Sequence, residues 1–223
     1  MKIRQISWLI IAGLAFVIPP ATIPGHNELA GAQAVEKSVW SRFTAKERKR
    51  LEAGDAIYQY VQSKGEDGMT HGHARSSAVI NAPLDRCFKI FCEFDQHHLY
   101  FPRKIKSEII KTRGNESLVH NEFDFYLVTV EYTSRFTVDT KIRRVDYDMD
   151  PDYEHDIEDT EGYFHFEKID DTRTLFTYAA TKVDTGLKVP GFVMEYLTSR
   201  DLPNVVLNVK KRIESGGQWT KHD

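Results

Sequence analysis

The sequence predicts an α+β protein in which a twisted antiparallel sheet wraps around a long C-terminal helix. Three observations predict it. Runs with a period of two dominate residues 104 to 183, clearest where Val130, Tyr132, Ser134, Phe136 and Val138 alternate with Glu131, Thr133, Arg135, Thr137 and Asp139. Ahead of them, Leu84, Cys87, Phe88, Phe91 and Cys92 form an apolar stripe at helical spacing. After them, a long helical pattern runs to about Glu214, with Leu202, Val205, Val206, Val209 and Ile213 along one side. Strands bracketed by helices make an α+β plan, and the last helix must bury its apolar side on the sheet.

Taken in order, the chain begins with Lys2 and Arg4, a short apolar run from Ile6 to Ile18, and the small-residue stretch Ala30-Gly31-Ala32-Gln33-Ala34. That is the layout of a secretory signal peptide over residues 1–34, with the apolar run shorter than the ~20 residues a membrane span needs. The mature protein is therefore expected to be soluble and periplasmic or secreted. Residues 35–54 form an N-terminal segment with a short helix. Its Thr44-Ala45-Lys46-Glu47 is a capping box, and Gly54 is suited to close the last turn. The main domain spans 55–215, followed by a C-terminal tail at 216–223.

Within that domain, Ala56–Gln62 and Ala74–Ile80 read as a hairpin around Gly65–Gly68. Pro83 suits the first position of a helix that carries both cysteines, Cys87 and Cys92. Five residues apart on one helix, the two thiols point about 140° apart, so buried free thiols are expected, and neither a disulfide nor a metal site. Strands are expected at 104–111, 117–127, 129–143, 161–169 and 173–183. Pro203 predicts a kink or break in the final helix, with Asp201 as a new N-cap.

The chain holds 223 residues, 41% of them hydrophobic and 12% aromatic, enough for one sizeable core without disulfides. Its 30 Lys and Arg stand against 33 Asp and Glu, which argues against a nucleic-acid partner. No cofactor motif is present. Residues 146–161 hold nine acidic residues and no Lys or Arg. They read as a solvated hairpin; a basic partner and a calcium ion are the two other readings, although the spacing is not that of an EF-hand.

Several segments together resemble the START-like superfamily, which includes polyketide cyclases, dehydrases and coenzyme Q-binding proteins. They are INAPLDRCFKIFCEFD at 80–95, Phe101-Pro102, SEII at 107–110, EGYFHFEK at 161–168, TLFTY at 174–178, and VPGFVMEYL with RDLPNVV at 189–206. The resemblance implies a helix-grip fold with a pocket for a lipid, quinone or polyketide-like molecule between sheet and C-terminal helix. It implies no catalytic residue.

The ligand-binding candidates are the strand aromatics, which share faces by i,i+2 spacing: Phe123, Phe125, Tyr132, Phe136, Phe164, Phe166, Phe176 and Tyr178. Val193 and Leu197 join them on the C-terminal helix. Core filling is the other reading of each. The favoured function is an exported, non-enzymatic carrier that touches a membrane transiently when it exchanges ligand. The alternative is a cyclase- or dehydratase-like enzyme using acid/base groups in the same pocket, for which His98 with Tyr100, or His120 beside Glu122 and Asp124, are the candidates.

Overall fold

The computed structural model describes residues 39–64, 70–125, 129–184 and 191–221, with the side chains of all but 61–64, 70–72 and 191–198. The expected signal peptide, the Gly65–Gly68 turn and Val189-Pro190 lie outside the described residues. Among those described, no helix is long and apolar enough to cross a membrane.

A 3-10 turn at Val39–Arg42 leads into α1 (Ala45–Glu52). The capping box forms as expected: Thr44 Oγ1 accepts from the Glu47 amide at 3.2 Å, and the Glu47 carboxylate accepts from the Thr44 amide at 2.7 Å. Gly54 takes a φ of 97° just past the helix, a conformation that favours glycine. Strands β1 (Ile57–Lys64) and β2 (Thr70–Ile80) pair antiparallel. Helix α2 (Leu84–Phe91) follows, one residue later than expected, because Pro83 has extended backbone and acts as the cap. A 3-10 turn at Phe94–Leu99 completes this connection.

Six further strands follow: β3 (Lys104–Arg113), β4 (Glu116–Asp124), β5 (Thr129–Asp139), β6 (Arg144–Met149), β7 (Asp159–Lys168) and β8 (Thr174–Asp184). All eight join one antiparallel sheet in the order β1-β2-β8-β7-β6-β5-β4-β3. Helix α3 (Gly191–Glu214) packs on β2, β8 and α2.

The acidic stretch forms the expected hairpin, its arms pairing antiparallel as β6 and β7, and β6 is a full strand of the sheet, which buries Val145, Tyr147 and Met149 on one face and carries Asp146 and Asp148 on the other. Arg135 on the neighbouring β5 meets Asp148 at 3.0 Å and the buried Asp150 at 2.8 Å, so the cation among these carboxylates is the chain's own guanidinium. One expectation is corrected: helix α3 runs through Pro203 without a break, and Asp201 lies inside it rather than capping a new helix. Burial of Leu202, Val205, Val206, Val209 and Ile213, at about 1.5–3 kcal/mol each, exceeds the cost of about 3 kcal/mol for an internal proline.

The main core lies on the concave face, between the sheet and the helices α2 and α3. At its centre the Phe91 ring sits 4.8 Å from Phe164, 5.2 Å from Phe166 and 5.7 Å from Phe176. On the opposite face, α1 places Leu51 against Ile57, Val79 and Leu175. Cys87 and Cys92 are free, and burial pushes their thiols up to about 11 and about 12, so neither is a ready nucleophile.

His97 is fully buried, stacked on Phe101 with centroids 4.6 Å apart, its Nε2 bonded to the Phe91 carbonyl at 2.8 Å. Burial, with the nearby Lys104 charge, holds it well below the ordinary histidine range. In the unfolded chain it takes up a proton near pH 6.5 that the folded chain refuses, so stability is lost as pH falls below that value. Denaturant titrations at pH 7 and 5 should show His97→Gln with the shallower pH dependence, by up to about 1.4 kcal/mol per pH unit. In the same assay Phe91→Ala should cost about 3–5 kcal/mol and Phe91→Leu much less.

Candidate functional site

The α2 side of the concave face is filled by Phe88, Phe91 and Phe94, and the opposite side is not. A cavity of about 150 Å³ remains between β3–β8 and α3. Its walls are Phe123 and Phe125, Tyr132, Ser134 and Phe136 of β5, Tyr147 of β6, Phe164 of β7 and Tyr178 of β8. The loop after the 3-10 turn adds Phe101, Pro102 and Arg103, β3 adds Lys104, and α3 adds Asp201, Leu202 and Val205. Arg103, Phe125 and Asp201 are each about a third or more exposed, marking the end nearest solvent. A site of this volume is the size that holds one aromatic ring or a comparable stretch of a larger molecule.

The aromatic walls support one another. Phe123 stacks on Tyr132 with centroids 5.5 Å apart and planes 8° from parallel, and Phe164 stacks on Tyr178 at 4.7 Å. Burial pushes the phenols of Tyr132, Tyr147 and Tyr178 up, which keeps them neutral hydrogen-bonding groups at ordinary pH. The Tyr147 hydroxyl reaches that of Tyr178 at 3.5 Å.

The sequence candidates Phe123, Phe125, Tyr132, Phe136, Phe164 and Tyr178 thus line one cavity. Phe166 and Phe176 do not; they face the same side of the sheet but lie beneath α2, where Phe88 meets Phe166 at 5.9 Å. Val193 and Leu197 belong to α3, but their side chains lie outside those described. Sequence reasoning missed Lys104, Arg103, Tyr147 and Asp201.

None of the candidates for catalysis lines the cavity. His98 bonds the Asp95 carbonyl at 2.7 Å, and Tyr100 is buried outside the cavity walls. His120, Glu122 and Asp124 alternate with the inward Asn121 and Phe123 and so face the other side of the sheet. There His120, Glu122 and Glu131 lie close enough to share a cation, and Lys106 supplies one at 2.9 Å from Glu122.

The polar end of the cavity is built at the start of β3. Arg103 takes a φ of 58°, and the Lys104 amide bonds the Pro102 carbonyl at 2.7 Å. Lys104 is only 3% exposed, and its ammonium donates to Asn121 Oδ1 at 2.7 Å. Burial, reinforced by the charge of Lys221, lowers it to about 7. Arg103 sits over the Phe125 ring and lies 3.8 Å from Asp201, whose carboxyl burial pushes upward.

No family model and no curated protein matches the sequence. Solved structures do match in fold. The Zhui aromatase/cyclase from Streptomyces sp. R1128 aligns at 18% identity and a TM-score of 0.56, over 64% of this chain and 93% of that one. A START superfamily protein from Mycobacterium smegmatis aligns at 14% and 0.56, over 64% and 97%. A STAR-related lipid transfer protein from Xanthomonas axonopodis aligns at 15% and 0.54, over 69% and 98%. The fold is the START-like helix-grip fold.

Tyr147 reaches the cavity because Gly162, opposite it on β7, has no side chain. A Cβ there would stand 2.1 Å from the Ala179 carbonyl oxygen and 2.5 Å from the Tyr147 hydroxyl. Gly162→Ala should therefore lower stability by about 1–3 kcal/mol in denaturant titration, with Tyr147 displaced in a crystal structure of the variant.

Proposed function

We propose that the protein is a non-enzymatic carrier that binds an apolar small molecule, of the lipid, quinone or polyketide-like kind, in the cavity between the sheet and α3. The observation that carries this reading is a cavity walled mostly by aromatic rings, left open on a sheet face whose α2 end is packed. Its driving force is apolar burial, at about 25 cal/mol for each Å² removed from water, and the few polar groups at one end fix orientation. The neighbours named for lipid transfer and for aromatase/cyclase activity support an apolar ligand, since both kinds of molecule are largely hydrophobic.

Export through the leader at 1–34 and transient membrane contact during ligand exchange belong to the same proposal. A basic partner at 146–161 has less support, because Arg135, Arg144 and Lys182 already engage Asp148, Asp150, Asp146 and Asp159. Acid–base chemistry of the cyclase or dehydratase kind is the second reading. In its favour stands Lys104, lowered to about 7 beside the cavity; against it stands the position of the histidine candidates on other surfaces.

Native mass spectrometry of protein purified from its own host should find a stoichiometric apolar adduct, identifiable after denaturation. Val205→Phe, which projects a ring into the cavity, should abolish the adduct while the circular dichroism of the fold is kept. Protein that emerges empty and fails to bind added lipids or quinones would sink the carrier reading.

A further inference from the structure

We propose that the molecule held in this cavity carries one carboxylate-type anionic group, received by Lys104; the inference rests on the carrier reading and narrows its ligand class. Lys104 is the first residue of β3 and stands directly across from Phe123 of β4. Its ammonium lies 5.0 Å from the Phe101 ring and 5.1 Å from the Phe123 ring, both of them cavity walls. The acceptor it has is neutral, Asn121 Oδ1. That amide is locked, because its Nδ2 donates to the Val119 carbonyl at 2.9 Å and to Ser134 Oγ at 3.1 Å.

The charges around Lys104 are unbalanced. Among the described residues no carboxylate comes within ion-pair distance of its Nζ. The acid of the cavity wall, Asp201 on α3, is turned to Arg103. On the C-terminal segment, Lys221 bonds the Lys104 carbonyl at 2.6 Å and adds a second positive charge. From the 3-10 turn comes the neutral ring of His97, and from β5 the neutral phenol of Tyr132. Within the cavity wall itself, Arg103 and Lys104 are the basic residues and Asp201 is the acidic one.

A buried ammonium with an unfilled hydrogen-bonding capacity is normally neutralised or replaced by an apolar residue. Here its neighbours hold it in place in the wall of a cavity lined mostly by rings. An incoming carboxylate supplies the missing counter-ion and a charge-assisted hydrogen bond, and the rest of the molecule fills the aromatic walls. Binding then restores the proton that burial removes from Lys104 in the empty cavity.

Isothermal titration of the purified protein with 2-naphthoate and with its neutral isostere 2-naphthamide tests this. At pH 7 the acid should bind about tenfold more tightly or better. In Lys104→Met that preference should vanish while naphthamide still binds. At pH 8, titrations in buffers of different ionisation enthalpy should show proton uptake with naphthoate and none with naphthamide, a readout that needs no variant. Equal affinities for the two probes in the wild type overturn the inference, as does a preference that survives in Lys104→Met, or naphthoate binding without proton uptake. Naphthamide binding without a preference for the acid leaves the carrier reading intact; binding of neither probe overturns the inference, while the carrier reading stands or falls on the native adduct and on lipid and quinone binding.

Discussion

The packing of the Phe91 ring is the contact on which the rest of the architecture depends. An eight-stranded sheet presents a concave apolar face, and α2 with its 3-10 turn is too short to cover all of it. Phe91 anchors that cover over β7 and β8, through Phe164, Phe166 and Phe176. His97 and Phe101 are drawn in behind it, and the chain is thereby delivered to the start of β3. Everything on the far side of Phe164 is left for α3 alone. A single helix touching β2 and β8 does not fill the space above β4 to β6, so the cavity follows from the geometry of an undersized cover.

Phe164 therefore belongs to both regions: it packs on Phe91 and stacks on Tyr178 at the cavity wall. The two regions differ in polarity. Around Phe91 the groups are rings and aliphatic chains, apart from one histidine held neutral. Beyond Phe164 the rings include the three tyrosines Tyr132, Tyr147 and Tyr178, and Ser134, Asn121 and Lys104 follow. Polarity rises along one direction of the concave face, as expected of a site that orients an amphipathic molecule.

Much of this was legible from patterning. The stripe of α2, the capping box of α1, the alternation of β5 and the apolar side of α3 all obey local periodicity, and the structure forms each of them. The acidic hairpin was legible, but the place of its first arm, β6, beside β5 in the sheet was not, because nothing in the spacing brings Arg135 alongside Asp148. Phe166 and Phe176 share face parity with true wall residues; whether a ring reaches cavity or core depends on where α2 lands, which no spacing encodes. Asp201 looked like a cap because proline followed closely, yet tertiary burial of α3 outweighed the local signal.

Lys104 was hidden by a different mechanism. In the sequence it alternates with Lys106, so both read as one wet strand face. The pairing of β3 with β4 shifts register between these two residues, and a bulge of this kind reverses face parity. Lys106 consequently meets Glu122 on the outer surface, whereas Lys104 turns inward to Asn121. Ser107, three residues on, also points inward and bonds the Phe94 carbonyl at 2.7 Å, which fixes the strand on the far side of the irregularity. With the left-handed Arg103 on one side and the bulge on the other, the backbone holds one lysine in a place its sequence pattern forbids. A local departure from regular strand geometry that buries a charge opposes stability on its own, and such departures concentrate where a ligand is met.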